Sequence, residues 1–347
     1  MEFFFIVDIV RHSMSLVSYS LPVMLLIIFV LVFPVSSIIL SHTIKSSPLP
    51  AQLISDFVTR FPPSLGVPPS PLSRLFFEQL SQTLASRAMC LPINLTLWML
   101  AKSAIFYILS CRERGKEPSV NGFLKTGPRI WSRTSVTYIW GCMLLVFLTS
   151  AILTLGLAGT TLLHFVSTVF EDVSHAQSLL RFILDMSTLF VYAVLLAPSV
   201  VIFNMGCVVA GMEDPKCGSL AFLRSLSLLK GRRLQPALLL FLIMNAPISF
   251  MEVAFQYRVL RGATMTPDSL PALGLLEAPF LIFCHSFLLL FDSVVSVSFY
   301  RACQLEADTT KYCSDMEDAD EDQFSIAIHL VEQRCRTMIS IADSRPK

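Results

Sequence analysis

The chain has 347 residues, 54% of them hydrophobic and 15% charged, with a mean hydropathy of +0.67 and a formal net charge of +1. A soluble globular protein carries about 25% charged residues, so this chain has more apolar surface than one core can bury and part of it must face lipid. The near-neutral balance, without a basic stripe, excludes a nucleic-acid or other polyanionic partner.

The first stretch, "MEFFFIVDIVRHSMSLVS", mixes apolar residues with Asp8 and Arg11 and suits a short helix lying in the membrane interface. Six segments then have the roughly 20 mainly apolar residues of a spanning helix. They are about Leu21–Leu40, Met89–Ser110, Val136–Leu157, Met186–Gly211, Pro236–Phe255 and Leu275–Cys303. The first is longer than the roughly 7–15 apolar residues of a signal peptide, and Ile38 and Ile39 spoil a small-x-small site after it, so it is read as a retained span.

Positive charge marks the cytosolic side of a membrane protein. The connection between the second and third spans holds Arg112, Arg114, Lys116, Lys125, Arg129 and Arg133. The one between the fourth and fifth holds Lys216, Arg224, Lys230, Arg232 and Arg233. The short alternate connections are poorer, with Arg181 in one and Arg258 and Arg261 in another; the connection between the first two spans holds Lys45, Arg60, Arg74 and Arg87, but long loops weigh less in this rule. Six spans then leave both termini in the cytosol.

"GFLKTGPRIWSR" (Gly122–Arg133) and "AFLRSLSLLKGR" (Ala221–Arg232) align without gaps, 99 residues apart. Phe123 matches Phe222, Leu124 matches Leu223, and Lys125 matches Arg224. Phe222, Leu223, Leu226 and Leu229 recur at helical spacing with Arg224 and Arg232 outside the stripe, which predicts an interfacial helix with snorkelling cations. Pro128 is expected to start or kink the first copy. The fold expected is an all-α membrane bundle of about six spans, with a parallel internal repeat that relates spans two and three to spans four and five.

After Cys303 the stretch Glu306–Gln323 holds eight acids and one Lys, which marks residues 306–347 as an acidic, disordered cytosolic tail after a membrane domain of residues 1–305.

Ionisable residues inside spans are costly and often functional. Lys102 lies about two turns from the cytosolic end of span two and is expected to snorkel. Glu277, His285 and Asp292 share span six, and His285 and Asp292, seven apart, fall on nearly one helical face. They suit either a proton or cation site, or hydrogen bonds to helices bearing Asn204 or Asn245. Nine scattered cysteines show no zinc spacing, so no metal and no cofactor is expected. They read as buried apolar side chains, or as palmitoylation sites at Cys111, Cys217 and Cys303. The Asn94-Leu95-Thr96 sequon lies too close to the bilayer to be glycosylated. No P-loop, GxSxG, HExxH or GxGxxG appears, so an enzyme is not expected.

"PVSSIILSHTI", "PRIWSRTSVTYIWG", "FLRSLSLLKGRR" and "VVSVSFYRACQ", in that order over residues 1–305, resemble a plant family of multi-pass proteins called simply transmembrane proteins. More distantly, the R-S-x-x-L-x-K-G-R-R pattern is similar to bacterial glycerophosphodiesterase-type membrane domains, whose catalytic domain is missing here. The resemblance implies a plant source and an endoplasmic-reticulum or plasma-membrane site. It implies no reaction.

Three functions fit these readings. The first is a non-enzymatic membrane-organising or regulatory protein, in which Lys125, Arg129, Arg133, Arg224, Lys230, Arg232 and Arg233 contact anionic lipid headgroups. The second is a transporter or channel for a small solute or ion, centred on His285, Asp292, Glu277 and Lys102. The third is a lipid-modifying enzyme, for which no nucleophile and base can be named. The bilayer is the one partner the sequence names.

Overall fold

A computed structural model of the chain describes residues 2–42, 92, 94–169, 174–213, 218–261 and 271–317. Within these residues the chain is helical, with no strand. Five helical stretches are long and apolar enough to cross a bilayer: Leu21–Leu40, Val120–Gly156, Met186–Met212, Leu234–Val259 and Glu277–Ala307. The protein is an all-α, multi-pass integral membrane protein.

Helix α1 (Glu2–Tyr19) buries Ile6, Ile9, Ser13, Leu16 and Val17, a stripe at helical spacing. Phe5 meets Phe299 edge-on at 6.4 Å, and Ser13 donates to Ser298 at 3.0 Å. These contacts lie eight residues apart on α1, about 12 Å of helix, but one residue apart on the partner helix. Helix α1 therefore lies across that helix rather than along it, the posture of an interfacial helix. The chain then bends at Ser20 into α2 (Leu21–Ile27), with Pro22 in the first turn, where a missing N–H costs nothing. A π-helical stretch, Ile28–Val32, precedes α3 (Phe33–His42). Pro34 cannot donate to the carbonyl of Val30, and the wider turn takes up the break.

A second π-helical stretch (Asn94–Trp98) runs directly into α4 (Met99–Glu113), giving 20 helical residues and about 30 Å of rise. This is the second expected span, and it is not among the five. It carries Lys102, Arg112 and Glu113 and is less apolar than the others, yet it is the most enclosed: Met99, Ala101 to Phe106, Ile108 and Leu109 are buried. A helix packed against protein needs no apolar outer face, so the polar residues it carries are tolerated.

Helix α5 (Val120–Val169) is 50 residues long and continues through Pro128, so the helix does not start at that proline as expected. At about 75 Å it must project beyond a hydrocarbon core about 30 Å thick. Helix α6 (Ser174–Met212) returns antiparallel to it. Gly141 faces Phe203, Gly156 faces Thr188 and Gly159 faces Leu184, an antiparallel register in which missing side chains let the backbones approach.

Helix α7 (Ser219–Leu229) opens at Gly218, whose φ of +59° suits glycine and whose N–H donates to Thr137 Oγ1 on α5 at 2.9 Å. Its buried face is Ala221, Ser225, Leu228 and Leu229, with Leu223 and Leu226 turned outward. The expected stripe is thus corrected, because α7 packs on α6 rather than floating free. A break at Lys230 and Gly231 (φ +84°) and a 3-10 turn (Gly231–Arg233) lead into α8 (Leu234–Phe255), which ends in a π-helical stretch (Gln256–Arg261). Helix α9 (Pro271–Glu317) closes the bundle. It continues past Cys303 to Glu317, so residues 306–317 are helical rather than disordered as expected; the rest of the acidic tail lies outside the described residues.

The repeat has a structural counterpart. Lys102 meets Asn204 and Ser110 meets Met212, both pairs 102 residues apart, so α4 and α6 run parallel. Phe123 packs on Tyr107 (5.7 Å between ring centroids), and its match Phe222 covers Gly206; in each pair the partner lies 16 residues upstream. The copies differ at the junction with the following span. The first passes through it as one helix, and the second breaks at Gly231.

Candidate functional site

Helix α9 carries Glu277, His285, Asp292 and Tyr300 at intervals of eight, seven and eight residues. At 1.5 Å per residue they stand about 10–12 Å apart in depth, within a sector of about 140°. Each meets a different set of partners.

At the far end Glu277 accepts from Arg258 at 3.4 Å, with both side chains exposed to solvent or headgroups. Such a pair contributes about 0–1 kcal/mol. One step inward, His285 is 1% exposed and its Nε2 lies 3.8 Å from Glu252 Oε1 on α8. That exceeds hydrogen-bond reach, and neither ring nitrogen has a hydrogen-bond partner among the described residues.

The third station is the best formed. Lys102 Nζ donates to Asn204 Oδ1 at 3.2 Å and sits 5.3 Å from the centroid of the Trp98 ring. Asn204 Nδ2 donates in turn to Ser296 Oγ at 3.3 Å. Asp292, Asn204 and Ser296 line a cavity of about 30 Å³ whose remaining walls are apolar, among them Phe241, Met244 and Phe299. Lys102 is 8% exposed and bonded to Asn204, so it does not snorkel as expected; α4 is buried on both sides of it, from Ala101 to Phe106.

At the basic end Tyr300 donates to Glu213 Oε1 at 2.7 Å. Arg224 Nε approaches the same oxygen at 3.4 Å, and the guanidinium of Arg133 donates to the Glu213 carbonyl. Glu213 thus joins the C-terminal end of α6 to α5, α7 and α9. Close by, Arg233 donates to the carbonyls of Leu228 and Cys303 and pairs with Glu306 at 3.1 Å. Arg112 covers the Tyr19 ring at 4.4 Å. The imidazole of His12, on the interfacial helix α1, is held below its ordinary range by partial burial and then by the Arg112 charge.

The basic residues therefore divide in two. Arg133, Arg224 and Arg233 are engaged with other parts of the protein, where they bond backbone carbonyls and two carboxylates, Glu213 and Glu306. Lys125, Arg129 and Lys230 remain exposed, and the side chain of Arg232 lies outside the described residues. His285 and Asp292, placed on one face by their spacing, do not share a site: the first faces Glu252, the second Asn204 and Ser296. Sequence reasoning missed Glu252, Ser296 and Glu213. Glu252 stands alone among acids in the fifth span and was a signal available in the sequence. Cys303 is 1% exposed, which fits the buried apolar reading rather than the palmitoylation alternative, whereas Cys111 is partly open and Cys217 lies outside the described residues.

No group of three or more metal-ligating side chains occurs among the described residues. No curated protein and no solved structure matches the chain. A family model described as a domain of unknown function (DUF8558) matches residues 1–309, and the chain belongs to that family.

Proposed function

We propose that this is a membrane-organising or regulatory protein whose basic end binds anionic lipid headgroups. One observation carries the reading. Leu124 and Leu223, equivalent in the repeat, are 65% and 63% exposed, each directly before a cation, at the same end of the bundle. Leucines presented outward beside Lys125, Arg129 and Lys230 would enter the acyl boundary while the cations meet phosphate. The positive-inside rule favours the cytosol for this end, with both termini on that side, and the family resemblance favours the endoplasmic reticulum or plasma membrane. A reporter fused to either end and read for cytosolic exposure tests this orientation.

The lipid reading is tested by melting the purified protein in detergent with phosphatidylserine or phosphatidylcholine. Phosphatidylserine is expected to raise the midpoint more. Each cation near an anionic surface contributes about 1 kcal/mol, so the triple variant Lys125→Gln, Arg129→Gln, Lys230→Gln should bind roughly 100-fold more weakly. An unchanged shift in that variant would overturn the reading.

A second reading is a carrier or channel for a small solute or ion. The stations along α9 favour it, since buried ionisable groups at successive depths are expensive unless used. Uptake into proteoliposomes that is lost in Asp292→Asn would support it, and unchanged uptake would remove it.

A further inference from the structure

Arg112 lies in the last turn of α4, two residues beyond Ser110, which meets Met212, so it stands at the basic end of the bundle. Its guanidinium covers the Tyr19 ring at 4.4 Å, and the ring is otherwise open at 78% exposure. His12, seven residues before Tyr19 and on the same face of α1, is near enough for the Arg112 charge to act on its imidazole. Among the described residues Arg112 forms no ion pair, and its buried Nη1 has no hydrogen-bond partner. A guanidinium carries five donors and no acceptor, so a ring face and an imidazole leave it unsatisfied. A buried donor without an acceptor is costly, and this group cannot give up its charge.

The two halves of the repeat differ at this point. The 102-residue offset that pairs Lys102 with Asn204 and Ser110 with Met212 matches Glu213 to Cys111. At the end of α6 the Glu213 carboxylate gathers Tyr300 and Arg224. At the end of α4 a thiol stands where the acid would be, and the neighbouring cation has no anion supplied by the protein. An anion from outside would complete the first copy as Glu213 completes the second.

Position selects the source of that anion. Helix α1 lies in the interfacial posture, Tyr19 closes it, and the chain bends at Ser20 into the first span. A tyrosine at such a bend marks headgroup level. Leu21 and Leu26, exposed just beyond the bend, lie where acyl chains would run. We propose that Arg112, Tyr19 and His12 form a seat for the phosphate of one anionic phospholipid. The guanidinium donates two N–H bonds to the phosphate oxygens, and the Tyr19 ring holds its plane. The imidazole, held below its ordinary range by partial burial and then by Arg112, is neutral near pH 7 and offers one N–H. Asp8 is the nearest acid on this face of α1, but it lies eleven residues from Tyr19, about 16 Å of helix, so the anion sits at the Tyr19 end. The inference rests on the lipid reading above and uses none of Lys125, Arg129 and Lys230.

The test uses the delipidated full chain in detergent, titrated with phosphatidylglycerol and read by native mass spectrometry. The wild type and the triple variant Lys125→Gln, Arg129→Gln, Lys230→Gln are both expected to retain one tightly held lipid per chain. Arg112→Gln should weaken that first site about 10- to 100-fold, as removal of a charged hydrogen-bond donor does. Tyr19→Phe keeps the ring face and should bind as the wild type does, whereas Tyr19→Leu should bind less tightly. A first site that survives in Arg112→Gln would overturn the proposal. One that disappears in the triple variant would overturn it too, while leaving the broader lipid reading in place. Equal retention of phosphatidylcholine would also overturn it. So would displacement of the lipid by equimolar glycerol 3-phosphate, which would mark a site for soluble phosphate. The wild-type chain gives a separate reading. Phosphatidylglycerol with a photoreactive headgroup should cross-link within residues 12–21 or 111–116, and cross-links confined to other segments would overturn the proposal even if Arg112→Gln does not fold.

Discussion

Tyr300 and Glu213 lie 87 residues apart and share a hydrogen bond of 2.7 Å. The bond ties the closing helix α9 to the end of α6, at the carboxylate that Arg224 also approaches. A hydrogen bond to a charged group contributes about 1.5–3 kcal/mol, more than a neutral one. Tyr300→Phe is therefore expected to lower stability in detergent by about 1.5–2 kcal/mol, the lower part of that range because the site is only partly enclosed. Glu213→Gln keeps an acceptor and loses the charge. A double-mutant cycle from denaturant unfolding should show coupling of about 1 kcal/mol between the two positions. Strict additivity would mean that the bond does not join the helices in solution.

Arg233 and Lys230 are three residues apart and should behave oppositely. Arg233 donates to the Leu228 carbonyl in the last turn of α7 and to the Cys303 carbonyl on α9, so Arg233→Gln should cost about 1–3 kcal/mol by removing both bonds. Lys230 is exposed, and Lys230→Gln should change stability by less than about 0.5 kcal/mol. Headgroup binding should reverse the order, with Lys230 the more sensitive. Equal losses of stability would show that the cluster acts as one undivided charge.

These contrasts mark what the sequence discloses and what it hides. The apolar runs near residues 21–40, 186–212 and 234–259 are plain in the sequence because lipid imposes length and apolarity on whatever it surrounds. Phe123 and Phe222, matched in the sequence, each pack against the helix 16 residues upstream, at Tyr107 and Gly206 respectively. The central place of α4 was hidden: a helix shielded by its neighbours is free to carry Lys102 and lose apolar character, so hydropathy ranks it weakest where burial ranks it first. Glu213 was hidden for another reason. It is a lone acid at a helix end, and its partners Arg133, Arg224 and Tyr300 come from three separate segments that only the bundle brings together. His285 and Asp292 show the limit of spacing, which fixes a shared face but not which neighbour each residue meets.

Two glycines separate packing from backbone conformation. A side chain at Gly141 would overlap the Phe203 ring, which is confined between Phe222 and Tyr138. Gly141→Leu should cost about 1–3 kcal/mol or more through overpacking, and should loosen α5 from α6. Gly231 has open space around it and a φ of +84°, so Gly231→Ala should cost about 1 kcal/mol from the backbone alone. Cysteine cross-linking between α5 and α6 reads the difference: it should change in Gly141→Leu and stay as in the wild type in Gly231→Ala.

The thiols give the last prediction. Cys303 is buried beneath the contact of α9 with Arg233, while Cys111 sits near the open end of α4. Reaction requires access as well as a thiolate, so a membrane-permeant maleimide should modify Cys111 in the folded protein and leave Cys303 protected until denaturant is added. Peptide mass spectrometry before and after unfolding reads both sites in one sample. Arg233→Gln should speed modification of Cys303, because it removes the side chain that bonds the Cys303 carbonyl and pairs with Glu306. Labelling of Cys303 at the rate of Cys111 in the wild-type chain would show that this end of α9 opens. In that case the burial of Cys303 would no longer argue against its acylation.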